Sequence, residues 1–143
     1  MSFELIRATE ADKAFLLTLR KLTMVEHLEK AGLYLSDDEH AFRLNDNYEC
    51  SYLIIYSGEK VGVLKYRELA DKIEIMQLQI HPESQGKGLG KMIIERVLDW
   101  SKEKHKKIEL AVLEANPAKL LYERLGFSIT GEDDHEFYME LNS

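Results

Sequence analysis

The apolar positions of this chain are spaced for helices at first, for strands in the middle, and for alternating helix and strand toward the end. Residues 3–7 read as a short first strand. Thr9, with Asp12 three residues on, forms a carboxylate version of the capping box, and Phe15, Leu16, Leu19 and Leu22 follow at helical spacing. A second helical stretch carries on to Lys30, and Gly32 ends it. Ser36 with Glu39 is a second capping box, opening a short helix that runs to about Leu44. The period then changes. Residues 50–56 are rich in β-branched and aromatic side chains, Ser57-Gly58-Glu59-Lys60 turns them into residues 61–68, and Ala70-Asp71 turns again into a long strand at 73–80. These three strands read as an antiparallel meander.

After Gly90 the spacing returns to helix, with Ile93, Ile94, Val97, Leu98 and Ser101 on one face. Residues 108–113 form a strand and 117–125 a helix, with Pro117 in its first turn and Gly126 as its stop. Residues 127–130 and 137–141 close the chain as a hairpin around Glu132-Asp133-Asp134. The expected order is β-α-α-β-β-β-α-β-α-β-β, a mixed α/β sandwich of helices on a sheet. No linker or repeat interrupts it, so residues 1–143 read as one domain.

Composition narrows the function. Hydrophobic residues at 45% and charged residues at 31% describe a globular rather than a disordered chain. A net charge of −7 argues against a nucleic-acid partner, whose binding needs phosphates neutralised. The longest apolar runs are a few residues, too short to span a membrane. Met1-Ser2-Phe3-Glu4-Leu5 has neither the basic region nor the apolar stretch of a signal peptide. A single cysteine, Cys50, fits a reducing cytoplasm, and it starts a strand with no activating partner. The five histidines show no metal-ligand spacing, so no metal is expected.

The segment Gln85-Gly86-Lys87-Gly88-Leu89-Gly90 carries the chemistry. It follows a strand and opens an amphipathic helix. Glycines let the backbone approach a bulky anion, and the first helical N–H groups have no internal partners. Together with the helix dipole they make a pyrophosphate cradle, with Lys87 and Lys91 at its lip. A P-loop needs four residues between its glycines and a hydroxyl after the lysine; here Gly86 and Gly90 enclose three, and Met92 follows Lys91. A dinucleotide fingerprint needs a second gap of two residues within a parallel unit; here it is one, after a meander. Gln-x-x-Gly-x-Gly fits without adjustment.

With Leu78-Gln79-Ile80-His81-Pro82 before it, and Asn116-Pro117-Ala118 leading to Leu121-Tyr122-Glu123-Arg124-Leu125-Gly126-Phe127 after the next helix and strand, the chain resembles the GCN5-related N-acetyltransferase (GNAT) superfamily over almost its whole length. The resemblance implies a mostly antiparallel central sheet flanked by helices, with a V-shaped splay between the fourth and fifth strands. It implies acetyl-coenzyme A as co-substrate and a primary amine as acceptor, attacked directly in a ternary complex. Leu78 and Ile80 would bond the pantetheine arm through their backbones, and the N–H near Leu78 would also face the thioester oxyanion. The backbone of Gln85, Gly86, Lys87, Gly88, Leu89, Gly90 and Lys91 would hold the pyrophosphate, Asn116 the arm from its other side, and Lys119 the nucleotide phosphates.

The same resemblance matches Tyr122 to the general acid; the alternative is a tyrosine packed under its helix. Glu74 falls where histone-type members place a glutamate base. By simple alternation it shares a face with Met76, Leu78 and Ile80; the alternative is a solvated residue at a strand start. Glu26 and His27 would line the acceptor groove, or remain a solvated helix pair. Members that acetylate ribosomal-protein N-termini carry a glutamate five residues before the asparagine, where this chain has Ala111. A small-molecule (or peptide) amine is therefore favoured over a ribosomal-protein N-terminus, with protein N-terminal or lysine acetylation as the alternative. The competing reading is a coenzyme A-binding partner module without turnover. Homodimers are common in the family, and the acceptor's identity stays open.

Overall fold

The computed structural model describes residues 2–142, so Met1, the start of the N-terminal segment discussed above, lies outside the described residues. The capping boxes decide where the first helices begin. Thr9 and Asp12 bond each other's backbone and side chain across a 3₁₀ turn, which runs directly into α1 (Lys13–Lys30). Ser36 and Glu39 do the same at the start of α2 (Asp37–Asn45). The helix to Lys30 is continuous, and Leu22, expected on its apolar face, is 53% exposed.

Among the described residues seven strands form one sheet: β1 (Phe3–Arg7), β2 (Ser51–Tyr56), β3 (Glu59–Glu68), β4 (Lys72–Ile80), β5 (Lys107–Leu113), β6 (Ser128–Glu132) and β7 (Glu136–Leu141). Their spatial order is β1-β2-β3-β4-β5-β7-β6, and every pairing is antiparallel except β4 with β5. Between β4 and β5 lies α3 (Leu89–Lys104), the crossover that a parallel pair requires. Between β5 and β6 lies the short α4 (Ala118–Arg124). The β2–β3 loop is tighter than its composition suggests: only Ser57 and Gly58 intervene, both at positive φ, as a two-residue type I′ hairpin demands. Cys50 ends a 3₁₀ turn rather than starting a strand, because the pairing with β3 begins at Ser51.

Neighbouring residues on each strand serve opposite faces. Ile54, Leu64, Ile73, Ile75 and Ile108 pack against Ile93, Ile94 and Val97 of α3. Leu53 and Val63, one position away, pack against Leu16 and Leu19 of α1 and Leu44 of α2. Ile93, Ile94 and Val97 are wholly buried, and each such side chain contributes about 2 kcal/mol. Among the described residues no helix is long and apolar enough to cross a membrane.

One irregularity in β4 matters for function. Lys65 pairs with Gln77, but Tyr66 pairs with Ile75, so Met76 is an extra residue on β4. The bulge reverses the alternation. Glu74 lies opposite Arg67, and Gln77 and Gln79 lie opposite Lys65 and Val63, all on the α1–α2 face. Leu78 and Ile80 turn to the α3 face instead. Glu74 therefore does not share their face, contrary to what simple alternation gives.

Candidate active site

β4 and β5 pair only from Lys72 with Lys107 to Ile75 with Leu110. Beyond that the strands part, although β4 continues to Ile80 beside β3 and β5 to Leu113 beside β7. The parted edges open into a cavity of about 990 Å³. His81 N–H donates to the Val61 carbonyl at 2.7 Å. By alternation Gln79 also turns its backbone to β3, and Leu78 and Ile80 turn theirs into the gap. One of those groups is already engaged: the Gln85 amide donates to the Ile80 carbonyl at 2.9 Å, tying the glycine turn to the strand end.

The turn itself needs its glycines for conformation rather than for space. Gly86 and Gly88 have φ of +81° and +76°, and a Cβ at either would meet nothing within 4 Å. Gly88 caps α3, and its carbonyl accepts from Met92 N–H, so the N–H groups of Leu89, Gly90 and Lys91 precede the helical ladder. That open, left-handed turn with free donors fits a pyrophosphate. Lys87 and Lys91 are exposed beside it, and the Leu89 side chain is core.

Around the gap the cavity collects Glu74, Leu78, Asn116 and Tyr122. Asn116 accepts from Ala118 N–H at 2.9 Å, which spends its oxygen on capping α4 and leaves its amide nitrogen on the cavity side. Tyr122 is 6% exposed, its ring 5.7 Å from that of Phe127. No described residue bonds its hydroxyl, and burial pushes its pKa up to about 12. Glu74 accepts from Arg67 Nε at 3.2 Å and Nη2 at 3.1 Å.

Other expected residues stay apart. The side chain of Leu121 reaches Gly90, and Lys119, two positions earlier on α4, points the other way. Its ammonium pairs with Glu123 at 3.2 Å and lies over the Phe137 ring. Glu26 pairs with Lys30 at 3.1 Å in the solvent, and neither it nor His27 lines the cavity. The row of α1 that does so is Arg20, Met24 and Leu28, each four residues from the next, which leaves Glu26 on the opposite side. Among the described residues, no three His, Cys, Asp or Glu side chains gather where they could hold a metal ion.

The α1–α2 side of the cavity holds ionisable groups that the sequence pattern did not single out. Arg20 is 1% exposed and donates from Nε to His40 Nδ1 at 3.1 Å. Lys65, 5% exposed, bonds the carbonyls of Arg43, Leu44 and Asp46, completing the C-terminus of α2. Across the gap stand Glu136 and Asp133 of the last hairpin. Glu136 is half-buried, and burial, then the Asp133 charge, push its pKa above the ordinary 4.5. Ala111 lies on the same face of β5, exposed to the cavity.

The GNAT acetyltransferase family model matches residues 16–127, from α1 through the end of α4. This chain belongs to that family. Among GNAT relatives, the spermidine N(1)-acetyltransferase of Escherichia coli K12 is 31% identical over 117 residues, 77% of this chain and 61% of that protein. The chain thus matches about three fifths of the length of that curated relative. A ribosomal protein bS18-alanine N-acetyltransferase of Haemophilus influenzae is 30% identical over 76 residues, 52% of each chain. The PaiA N-acetyltransferase of Thermoplasma acidophilum, solved with coenzyme A, superposes over 100% of both chains with a TM-score of 0.76 at 20% identity. The V-shaped parting of the fourth and fifth strands is the GNAT fold that the sequence motifs imply.

Proposed function

We propose that this chain, acting as one domain, transfers the acetyl group of acetyl-coenzyme A to a primary amine of a small molecule. The parting of β4 and β5 beyond Ile75 and Leu110, with the glycine turn at the end of one strand, carries the reading. A thioester arm threaded through that gap would bond Leu78 and Ile80 as an added strand does, with Asn116 on its other side and its pyrophosphate on residues 85–91. The bound thioester supplies an activated acyl group. The rest is the protein's work.

The bulge divides the labour. Leu78 and Tyr122 belong to the α3–α4 side, where the arm enters; Glu74, Gln77, Ala111 and Glu136 belong to the α1–α2 side, where an amine would wait. As the amine nitrogen bonds the acyl carbon and the C–S bond breaks, Tyr122 gives its proton to the departing thiolate and later regains one from water. A backbone N–H near Leu78 stabilises the oxyanion. Glu136 takes the proton that the amine loses and later releases it to water. Its burial raises its basicity toward the working range, whereas Glu74 is occupied by Arg67. Glu74 then helps position the acceptor. The products are an amide and a free thiol, and the charges balance.

Isothermal titration with acetyl-coenzyme A, followed by a panel of amines monitored through thiol release, tests this. Binding with turnover of a small amine is the expected result. No binding overturns the whole reading, and binding without turnover of any amine or peptide N-terminus leaves the partner-module alternative standing.

A further inference from the structure

Most charges lining the cavity are answered by the protein. Arg67 pairs with Glu74 at 3.1 Å, and Lys72 with Glu109 at 2.6 Å. Lys65 is satisfied by three carbonyls and by the nearby charge of Asp46. Arg20 is the exception. The residue lines the cavity, yet only 1% of it is exposed. Nε is spent on His40, which has no negative charge to offer, and Nη1 is buried with no partner among the described residues. No described carboxylate lies within ion-pair distance of it. The charge that acts on it is another cation, Arg43, which also lines the cavity and is likewise without an ion pair among the described residues. Burial, then Arg43, push the Arg20 pKa down to about 10.

A buried guanidinium without a counter-charge is costly to keep, and α1 would be cheaper with an apolar side chain in that row. Leu16, Met24 and Leu28 show what the row otherwise carries. The cavity also has the opposite polarity on its far wall, where Glu136 and Asp133 stand across from Arg43. A cavity with a buried cation that has no counter-charge and a second cation, Arg43, whose charge is met by Glu39 and by Glu136 of the far wall, is built for a molecule with both charges.

We infer that the acceptor carries a carboxylate on the same molecule as its reacting amine, and that Arg20 and Arg43 bind that carboxylate. The amine is thereby turned toward Glu136. The planar fork of a guanidinium matches a carboxylate in two parallel bonds, and a cationic polyamine would meet repulsion on this wall. The inference rests on the acetyl-transfer reading above and names the substrate class for it.

The test uses the whole chain and matched acceptors: α-amino acids, their methyl esters, and the amines left when the carboxylate is removed, with phosphoethanolamine against β-alanine to separate phosphate from carboxylate. Thiol release gives kcat/KM for each. Wild-type protein is expected to prefer the acid by roughly tenfold to hundredfold, with Arg20→Met and Arg43→Gln each removing most of that preference while the esters are little affected. A preference for the ester or the bare amine overturns the inference, as does a preference that survives both substitutions or better turnover of phosphoethanolamine than of β-alanine. Should Arg20→Met fail to fold, the wild-type comparison and the exposed Arg43→Gln decide alone. Binding of an N-acetyl amino acid against the matching N-alkyl acetamide, with coenzyme A present, reads the same preference without turnover; equal affinities overturn it. Absence of acetyl-coenzyme A binding removes the acetyl-transfer reading itself, a different and separately visible result.

Discussion

Replacing Tyr122 with phenylalanine removes one oxygen atom and nothing else. The ring keeps its place beside Phe127, and no described residue loses a hydrogen bond, because none is made to that hydroxyl. Folding stability should therefore change by less than about 1 kcal/mol. The chemistry is another matter. A rise in the phenol's pKa from 10 to about 12 disfavours the phenolate by about 3 kcal/mol. The residue is thus held protonated, although giving up its proton is disfavoured by the same amount, and a positioned donor contributes about 10²- to 10⁴-fold to a proton-coupled step. The expected result is a fall in kcat of about 100-fold or more, with the acetyl-coenzyme A dissociation constant within about a factor of two of wild type.

Thiol release at saturating amine measures the first quantity, isothermal titration the second and thermal unfolding the third. If kcat stays within about threefold of wild type, Tyr122 is not the acid; if affinity falls as far as kcat does, the hydroxyl serves ground-state binding instead. A pH profile adds an independent check. With its pKa pushed up to about 12, Tyr122 stays protonated below about pH 11 and contributes no alkaline limb there. A limb near pH 10 that disappears in the Tyr122→Phe protein would contradict the burial on which the assignment stands.

Glu136 must be ionised to accept a proton, so kcat/KM should rise as pH climbs through a value above the ordinary 4.5; Glu136→Gln should abolish that limb, and its survival there but loss in Glu74→Gln would hand the role to Glu74. His40 is buried and its pKa is lowered from 6.5 by burial and then by Arg20, so the unfolded chain binds the extra proton first. The unfolding temperature should hold steady above about pH 7 and decline as pH falls below 6.5 toward the folded value, and His40→Gln should flatten that decline. Gly88→Ala forces a side chain to adopt φ +76° in open space, which should cost about 1 kcal/mol of stability and weaken acetyl-coenzyme A binding; unchanged melting and affinity would show that the turn's shape is not what binds.

Where the chain announced its structure, it did so through features whose physics is local. The boxes at Thr9 and Ser36, the left-handed glycines before α3 and the stop at Gly126 are each read from a few adjacent residues, and each stands where expected. The bulge at Met76 had no such signature, since Glu-Ile-Met-Gln-Leu-Gln-Ile can be read in either phase until β3 is laid beside it. Arg20 was legible in principle as a charge in phase with Leu16, Met24 and Leu28, yet an arginine on an amphipathic helix is ordinarily assumed to reach water. Glu136 carried no local signal, because the cavity it lines is completed by residues as distant in the chain as Arg20 and Arg43.

The bulge gives these scattered residues a common logic. A strand that alternated without interruption would put Glu74 beside Leu78 and Ile80, where a carboxylate would face the Ile73–Ile93 core or the incoming thioester arm. One extra residue turns the strand's polar side chains, Glu74, Gln77 and Gln79, to the α1–α2 face and its apolar ones, Leu78 and Ile80, to α3. The same residue falls just past Ile75, where the pairing with β5 stops. The sheet therefore opens at the level where its two faces exchange character. Through that opening an apolar arm can arrive from one side, and a charged acceptor, gripped by Arg20 and Arg43 and faced by Glu136, can meet it from the other. On this argument acceptor choice belongs to α1, α2 and the last hairpin. Substitutions there should change which amine is used while leaving the thioester half of the site intact.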